Sequence, residues 1–302
     1  MNEFELIQRY FRRANSRADV ALGIGDDAAL IQPPPGHELA ITTDTMVEAV
    51  HFPAGASARA VGFRALATNL SDLAAMGAAP AWVTLALTLP EADAGWLEHF
   101  AAGFFELAEA FNVTLIGGDV TRGPLTITVG AYGLVPEGKA VRRGGARPGD
   151  RIFVTGALGD AAVGLRKYSP ANDGRDRYLY PQPRVAEGQA LRGYATAAID
   201  ISDGLLADLG HLVEASGVGA DIELARIPTA PEADPQTALT GGDDYELCFT
   251  VAPARIDAMR AAWLDDWAPL HDIGIVTQQR ELRCIAPDGT LWHSDEAGYK
   301  HF

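Results

Sequence analysis

The sequence predicts an α/β (α+β) chain built as two lobes, and three observations carry that reading. Its 302 residues exceed the roughly 100–200 of one typical domain. Both halves mix apolar runs at strand period with runs at helical period. A glycine- and arginine-rich stretch, VRRGGARPGD (Val141 to Asp150), then interrupts the pattern near the middle. The expected lobes are residues 1–140 and 150–302.

Phe4, Ile7, Tyr10 and Phe11 recur at helical spacing, so Glu3 to Ala14 reads as a short amphipathic helix. LAITTD (Leu39 to Asp44) is a strand after the proline-rich turn Pro33 to Gly36. Ser57 suits the cap of a long helix to about Met76, with Val61, Leu66, Leu70 and Leu73 inward and Gly77 as the stop. AWVTLALTL (Ala81 to Leu89) is a strand ended by Pro90, and Trp96, Phe100, Phe104, Leu107 and Phe111 mark the next helix. VTLIGGD (Val113 to Asp119) is a short strand and LTITVGAYGLV (Leu125 to Val135) a further one. The second half opens with the strand RIFVTG (Arg151 to Gly156) and a helix after Gly159; Asn172 to Tyr180 reads as a loop. TAAID (Thr196 to Asp200) is a strand feeding the helix DGLLADLGHLVEAS (Asp203 to Ser216). ADIEL, ELCFTV and HDIGIV are later strands, with a helix from about Pro253 to Leu264.

Composition narrows the function. A chain 48% hydrophobic and 21% charged is ordinary globular material, which excludes disordered and fibrous classes. With 24 Lys+Arg against 40 Asp+Glu, the net charge of −16 opposes non-specific binding to nucleic acid or to an anionic membrane. No apolar run approaches the roughly 18 residues of a membrane span. The acidic start is unlike a signal peptide, and two cysteines cannot build a disulfide framework, so the expected compartment is the cytoplasm.

The chemical signal is where the aspartates fall. Asp44 and Asp200 end strands, Asp119 follows LIGG, and Asp203 begins a helix. Asp26 and Asp27 sit in the glycine turn GIGDDAAL, and Asp243 and Asp244 in TGGDDYEL. Asp72 lies almost one turn after Asn69 on the long helix, so both point to the same side. Strand interiors exclude aspartate. Acids at strand exits beside glycines therefore offer hard oxygen ligands of the kind Mg²⁺ takes together with water and phosphate. Each Asp–Gly pair taken alone is also ordinary turn chemistry. Histidine and cysteine are too sparse and scattered for structural zinc.

In order along the chain stand GIGDDAAL (Gly23 to Leu30), TTDTMVEAVHF (Thr42 to Phe52), NLSDLAAMGAAP (Asn69 to Pro80), IGGDVTRGP (Ile116 to Pro124), VTGALGDAAVGL (Val154 to Leu165), AIDISDGLLADLGHL (Ala198 to Leu212) and GGDDYELCFTV (Gly241 to Val251). This series closely resembles the thiamine-monophosphate kinases, within the aminoimidazole ribonucleotide synthetase-like superfamily, over essentially the whole chain. The resemblance implies a two-lobed synthetase-like fold: an N-terminal α/β lobe that binds ATP and Mg²⁺ and forms a barrel-like homodimer interface, and a C-terminal α/β lobe. It implies phosphorylation of thiamine monophosphate to thiamine diphosphate, with ATP as co-substrate and several Mg²⁺ ions. The P-loop pattern GxxxxGK[ST] is absent, so this nucleotide enzyme has no P-loop.

Carried over by position, the resemblance makes Asp27, Thr42, Thr43, Asp44, Asp72, Asp119, Asp200 and Asp203 metal ligands. Gly118, Asp119, Arg143 and Ser202 match ATP contacts; His51, Asp243 and Tyr299 match substrate contacts. No residue is assigned as an acid–base catalyst, because the attacking phosphate oxygen is already anionic. Asp243 stands where the family often has Glu, one methylene longer.

Overall fold

The computed structural model describes residues 2–13, 17–169 and 176–293, and Tyr299 lies outside them, as do residues 172–175 of the loop expected at 172–180. The chain divides into two compact units, and not at a single cut. The first holds Met1–Leu73, Ala79–Gly138 and Tyr168–Arg175; the second holds Ala74–Ala78, Lys139–Lys167 and Asp176–Phe302. No described helix is long and apolar enough to cross a membrane.

In the first unit, α1 (Glu3–Leu6) is closed by a reciprocal capping box between Asn2 and Glu5. The single helix expected through Ala14 does not form. Ile7–Phe11 widens into a π turn, which lets the consecutive Tyr10 and Phe11 both be buried, and Phe11 meets Phe100 edge to face at 6.4 Å. Strands β1 (Val20–Leu22) and β2 (Leu30–Ile31) pair as a ribbon that brackets the GIGDD turn. The main sheet has the order β3 (His37–Val47), β6 (Thr126–Pro136), β4 (Ala79–Leu89), β5 (Thr114–Arg122). Only β4 and β5 are parallel, joined through helix α3 (Ala94–Ala110) as a crossover requires. Strand β3 continues past the expected end at Asp44 to Val47, and β5 past that at Asp119 to Arg122, because the ladders use backbone groups that aspartate and glycine also possess.

Helix α2 (Ala58–Ala75) meets α3 where both carry glycine. A Cβ on Gly62 would lie 2.1 Å from the Phe100 carbonyl oxygen, and one on Gly103 would lie 1.9 Å from that of Arg59. The two backbones pass at a separation only glycine allows.

The second unit holds a seven-stranded sheet of order β13 (Leu291–Trp292), β12 (Leu282–Ile285), β9 (Gly219–Glu223), β11 (Leu270–Thr277), β7 (Arg151–Thr155), β10 (Leu247–Val251), β8 (Ala195–Asp200). Only β12 and β9 pair in parallel. Helix α6 (Leu205–Ser216) packs Leu205, Leu209 and Leu212 into the core with Ile152, Val154 and Ile199. Helices α4 (Asp160–Lys167), α5 (Val185–Ala190) and α7 (Pro235–Thr240) are shorter. The helix expected over Pro253 to Leu264 forms only as a 3₁₀ turn and α8 (Ile256–Ala261). Trp263 instead turns back, its indole N–H donating to the Ala268 carbonyl.

Candidate active site

The first acid group is built by β3 and α2. Thr42 and Asp44 lie two residues apart on β3, hence on one face, and α2 presents Asn69 and Asp72 to that face. The Thr42 hydroxyl donates to Asp72 Oδ2, and the Asp44 backbone N–H donates to Asn69 Oδ1 at 3.2 Å. Burial pushes the Asp44 carboxyl up to about 6; the Asp72 charge adds to this, and a hydrogen bond from Thr68 opposes it. Two carboxylates thus crowd one half-buried spot, an arrangement that a cation relieves. Thr43 points to the opposite, exposed face of β3, away from this pair.

Asp27 and Asp119 belong elsewhere in the same unit. Strands β3 and β5 are the two edges of the sheet, so Asp44 and Gly118 lie three strand spacings apart, about 14 Å along the sheet. Gly118 has φ +153, and a Cβ there would fall 1.8 Å from the Leu85 carbonyl oxygen, so only glycine fits. Gly118 and Asp119 line one wall of a cavity of about 630 Å³. Asp26 and Asp27 line another, with Phe4, Ile7 and Phe11. Asp26 serves the turn, accepting the Asp27 N–H at 2.8 Å. His51 accepts the Val47 N–H at Nδ1, 3.0 Å, which leaves its proton on Nε2.

The second unit carries its own acids. Asp200 is buried at the end of β8; Ser202 and Asp203 follow in the turn before α6. Asp243 and Tyr245 both have left-handed backbone, φ +68 and +52. That conformation costs non-glycine residues energy and marks a turn whose shape is held by its surroundings. The Asp243 N–H donates to the Ser202 carbonyl at 2.8 Å, that of Tyr245 to Ile201 at 2.9 Å, and the Tyr245 hydroxyl to Asp243 Oδ1 at 3.1 Å. The Arg143 side chain is exposed, while its carbonyl accepts from the Ser216 hydroxyl.

Several structural acids were not singled out by the sequence. Asp208, one turn after Leu205 on the apolar face of α6, is 3% exposed and accepts the N–H groups of Ser202 and Asp203. Burial pushes its carboxyl up to about 7. The signal for it was an acid at helical spacing among core leucines. Glu246, fully buried, accepts from Thr155, Arg177 and Arg184. Cys248 is buried with its thiol pushed up by burial, which fits a small apolar residue and not a nucleophile.

Asp244 is 2% exposed and accepts the N–H groups of Gly159 and Ala161 at the start of α4, 2.7 and 3.3 Å. Burial outweighs these bonds and pushes its carboxyl up to about 7. A carboxyl raised in the folded state contributes stability below its unfolded value near 4, and that contribution is lost as the pH rises through about 7. Urea titrations from pH 4 to 8 should therefore show a falling component with a slope of at most about 1.4 kcal/mol per pH unit. Asp244→Asn should lower the total slope by that component and leave those of Asp208 and Asp44, and an unchanged slope would show that Asp244 is ionised across the whole range.

Among the described residues, no three of these acids, histidines or cysteines meet as one metal-holding group. Within the first unit, Asp44 stands beside Asp72, and Asp27 shares a cavity with Asp119. The Asp44–Asp72 pair with the Thr42 hydroxyl is a set of hard oxygen donors, which suits a hard divalent cation such as magnesium.

Comparison with known proteins is extensive. The AIR synthase related protein family matches with its N-terminal domain over residues 25–135 and its C-terminal domain over 147–286. The thiamine-monophosphate kinase of Escherichia coli K12 is 48% identical over 318 aligned positions, covering 99% of this chain and 98% of that protein. That of Bacillus subtilis is 35% identical with full coverage of both. The crystal structure of thiamine-monophosphate kinase from Stenotrophomonas maltophilia K279a superposes with TM-score 0.86 at 46% identity, over 96% of this chain and 97% of that one. AaThiL complexed with AMPPCP and TMP superposes with TM-score 0.78 at 31% identity, over 92% of each chain.

Proposed function

The chain belongs to the thiamine-monophosphate kinases, within the AIR synthase related family, and on that premise we propose that it transfers the γ-phosphoryl group of ATP to the phosphate of thiamine monophosphate, giving thiamine diphosphate and ADP. The observation that carries the proposal is the Asp44–Asp72 pair, two carboxylates crowded on one half-buried spot.

The accepting oxygen is anionic at neutral pH, so the residues need not remove a proton; they must hold two anions in line. Unit charges ~4 Å apart repel by about 4 kcal/mol at an effective dielectric of 20. Magnesium ions, when bound, neutralise that repulsion and the charge on the departing ADP. Asp44, Asp72 and Thr42 would hold one such ion, with Thr42 orienting Asp72 and Asn69 fixing the Asp44 backbone. Asp27 and Asp119 offer a second set of oxygens, and Asp200 and Asp203 a third within their own unit. Thr43, on the other face of β3, is excluded from the Asp44–Asp72 set and could serve only a separate ion.

Gly118, Asp119, Arg143 and Ser202 are assigned to ATP, Arg143 as an exposed guanidinium suited to phosphate. His51, Asp243 and Tyr299 are assigned to thiamine monophosphate. Residues 1–140 would form the ATP, magnesium and dimerisation lobe, and 150–302 the second lobe. Support for a homodimer comes from the open face of the first sheet, where Leu39 and Ile41 on edge strand β3 are 41% and 63% exposed. A cytoplasmic location accords with two free, buried cysteines.

The test is ADP release coupled to a dehydrogenase readout, with thiamine monophosphate compared against free thiamine and aminoimidazole precursors. Turnover should require thiamine monophosphate and magnesium. Equal or faster turnover with an aminoimidazole precursor would move the chain to the synthetase branch of its family.

A further inference from the structure

We propose that Asp208 is a positioning residue for the nucleotide site, setting the backbone of the Ser202–Asp203 turn from beneath. The inference rests on the kinase reading, in which Ser202 contacts ATP and Asp203 a metal ion.

Asp208 occupies the fourth position of α6, inside the helix, yet its carboxylate does not serve that helix's own first turn. Gly204 stands at the N-cap, φ 110, without a side chain to cap anything. The carboxylate reaches back past it, and one oxygen, Oδ2, takes the N–H groups of Ser202 at 2.9 Å and Asp203 at 3.0 Å. The carbonyls of the same turn are held from the other side: Ser202 O by the Asp243 N–H, Ile201 O by that of Tyr245. A Cβ on Gly242 would fall 2.3 Å from Ser202 O, so the two loops touch at backbone distance. A carboxylate at 3% exposure is a costly way to satisfy two amides that solvent would satisfy on a surface turn. What it achieves is a fixed direction for the Ser202 hydroxyl and the Asp203 carboxylate, whose side chains leave from the Cα atoms bonded to the two amide nitrogens it anchors.

Two substitutions separate position from charge. Asp208→Glu keeps the charge and moves the acceptor by one methylene; Asp208→Asn keeps an acceptor in place and removes the charge. Amide exchange at Ser202 and Asp203 is followed by NMR, and calorimetry gives affinities for a magnesium-loaded non-hydrolysable ATP analogue and for thiamine monophosphate. In the parent both amides should be protected. Asp208→Glu should speed their exchange at least about tenfold and weaken the nucleotide at least about tenfold, with a several-fold smaller effect on thiamine monophosphate. Asp208→Asn should stay within about threefold of the parent. Unprotected amides in the parent would overturn the proposal whether or not either variant folds. So would faster exchange in Asp208→Glu with unchanged nucleotide affinity, equal loss of both ligands, or an Asp208→Asn protein that loses nucleotide with both amides still protected. A parent that binds nucleotide without converting thiamine monophosphate would instead sink the kinase reading and leave Asp208 in place.

Discussion

Asp72→Asn should lower kcat at least about 100-fold while leaving the melting temperature equal to the parent's or above it. The two expectations come from one feature. Burial, with the Asp72 charge adding to it, holds the Asp44 carboxyl up at about 6, so at pH 8 the folded chain bears the cost of crowding the two acids. Asparagine can still accept from the Thr42 hydroxyl, so the link between β3 and α2 persists while the repulsion disappears. Activity suffers because the lost charge is the one proposed to hold an ion against the phosphates, an interaction worth several kcal/mol in transition-state charge stabilisation. Steady-state kinetics in saturating magnesium and thermal unfolding without magnesium, run on the same preparation, decide the matter. A kcat within threefold of the parent would remove Asp72 from the site. A fall in both activity and melting temperature would make it a structural acid.

Glu246→Ala should be the most destabilising single change in the second unit, by about 3–5 kcal/mol. The carboxylate is fully buried and accepts from Thr155 Oγ1 at 2.6 Å, from Arg184 through Nε at 2.7 Å and Nη2, and from Arg177 Nη2. Truncation leaves two largely buried guanidinium groups facing an empty space; for Arg184 the remaining carboxylate nearby is Glu187, at 3.9 Å. Gly156 shows how closely the space is shaped, since a Cβ there would lie 2.3 Å from Glu246 Oε1. With roughly 2–4 °C per kcal/mol for a unit of this size, the melting temperature should fall by about 10 °C. Glu246→Gln, which keeps the shape and two of the acceptor contacts, should fall less. A shift under 2 °C for Glu246→Ala would mean the arginines find solvent or other partners.

Of the aspartates expected at strand ends, Asp200 ends β8, whereas Asp44 and Asp119 lie within β3 and β5, the two edge strands of their sheet, where propensity against aspartate is overridden by context. Asn69 and Asp72 were legible together because three residues on a helix is nearly one turn. Thr43 was carried along with Thr42 by adjacency in the motif, and the period of two in a strand sends it to the other face. Asp208 and Glu246 escaped notice because each reads as a helix or strand residue like its neighbours, and only the packed fold shows what each holds.

By itself the sequence determined the alternation of helices and strands in two halves and the acidic character, because these follow from side-chain period and ionisation. Tertiary structure alone decided which acids are partners. Asp44 meets Asp72, Asp27 shares a cavity with Asp119, and Asp44 and Gly118 are held about 14 Å apart. The physical reason is that strand order, β3-β6-β4-β5, is set by which ladders close and which faces bury, and neither is written in any local run of residues.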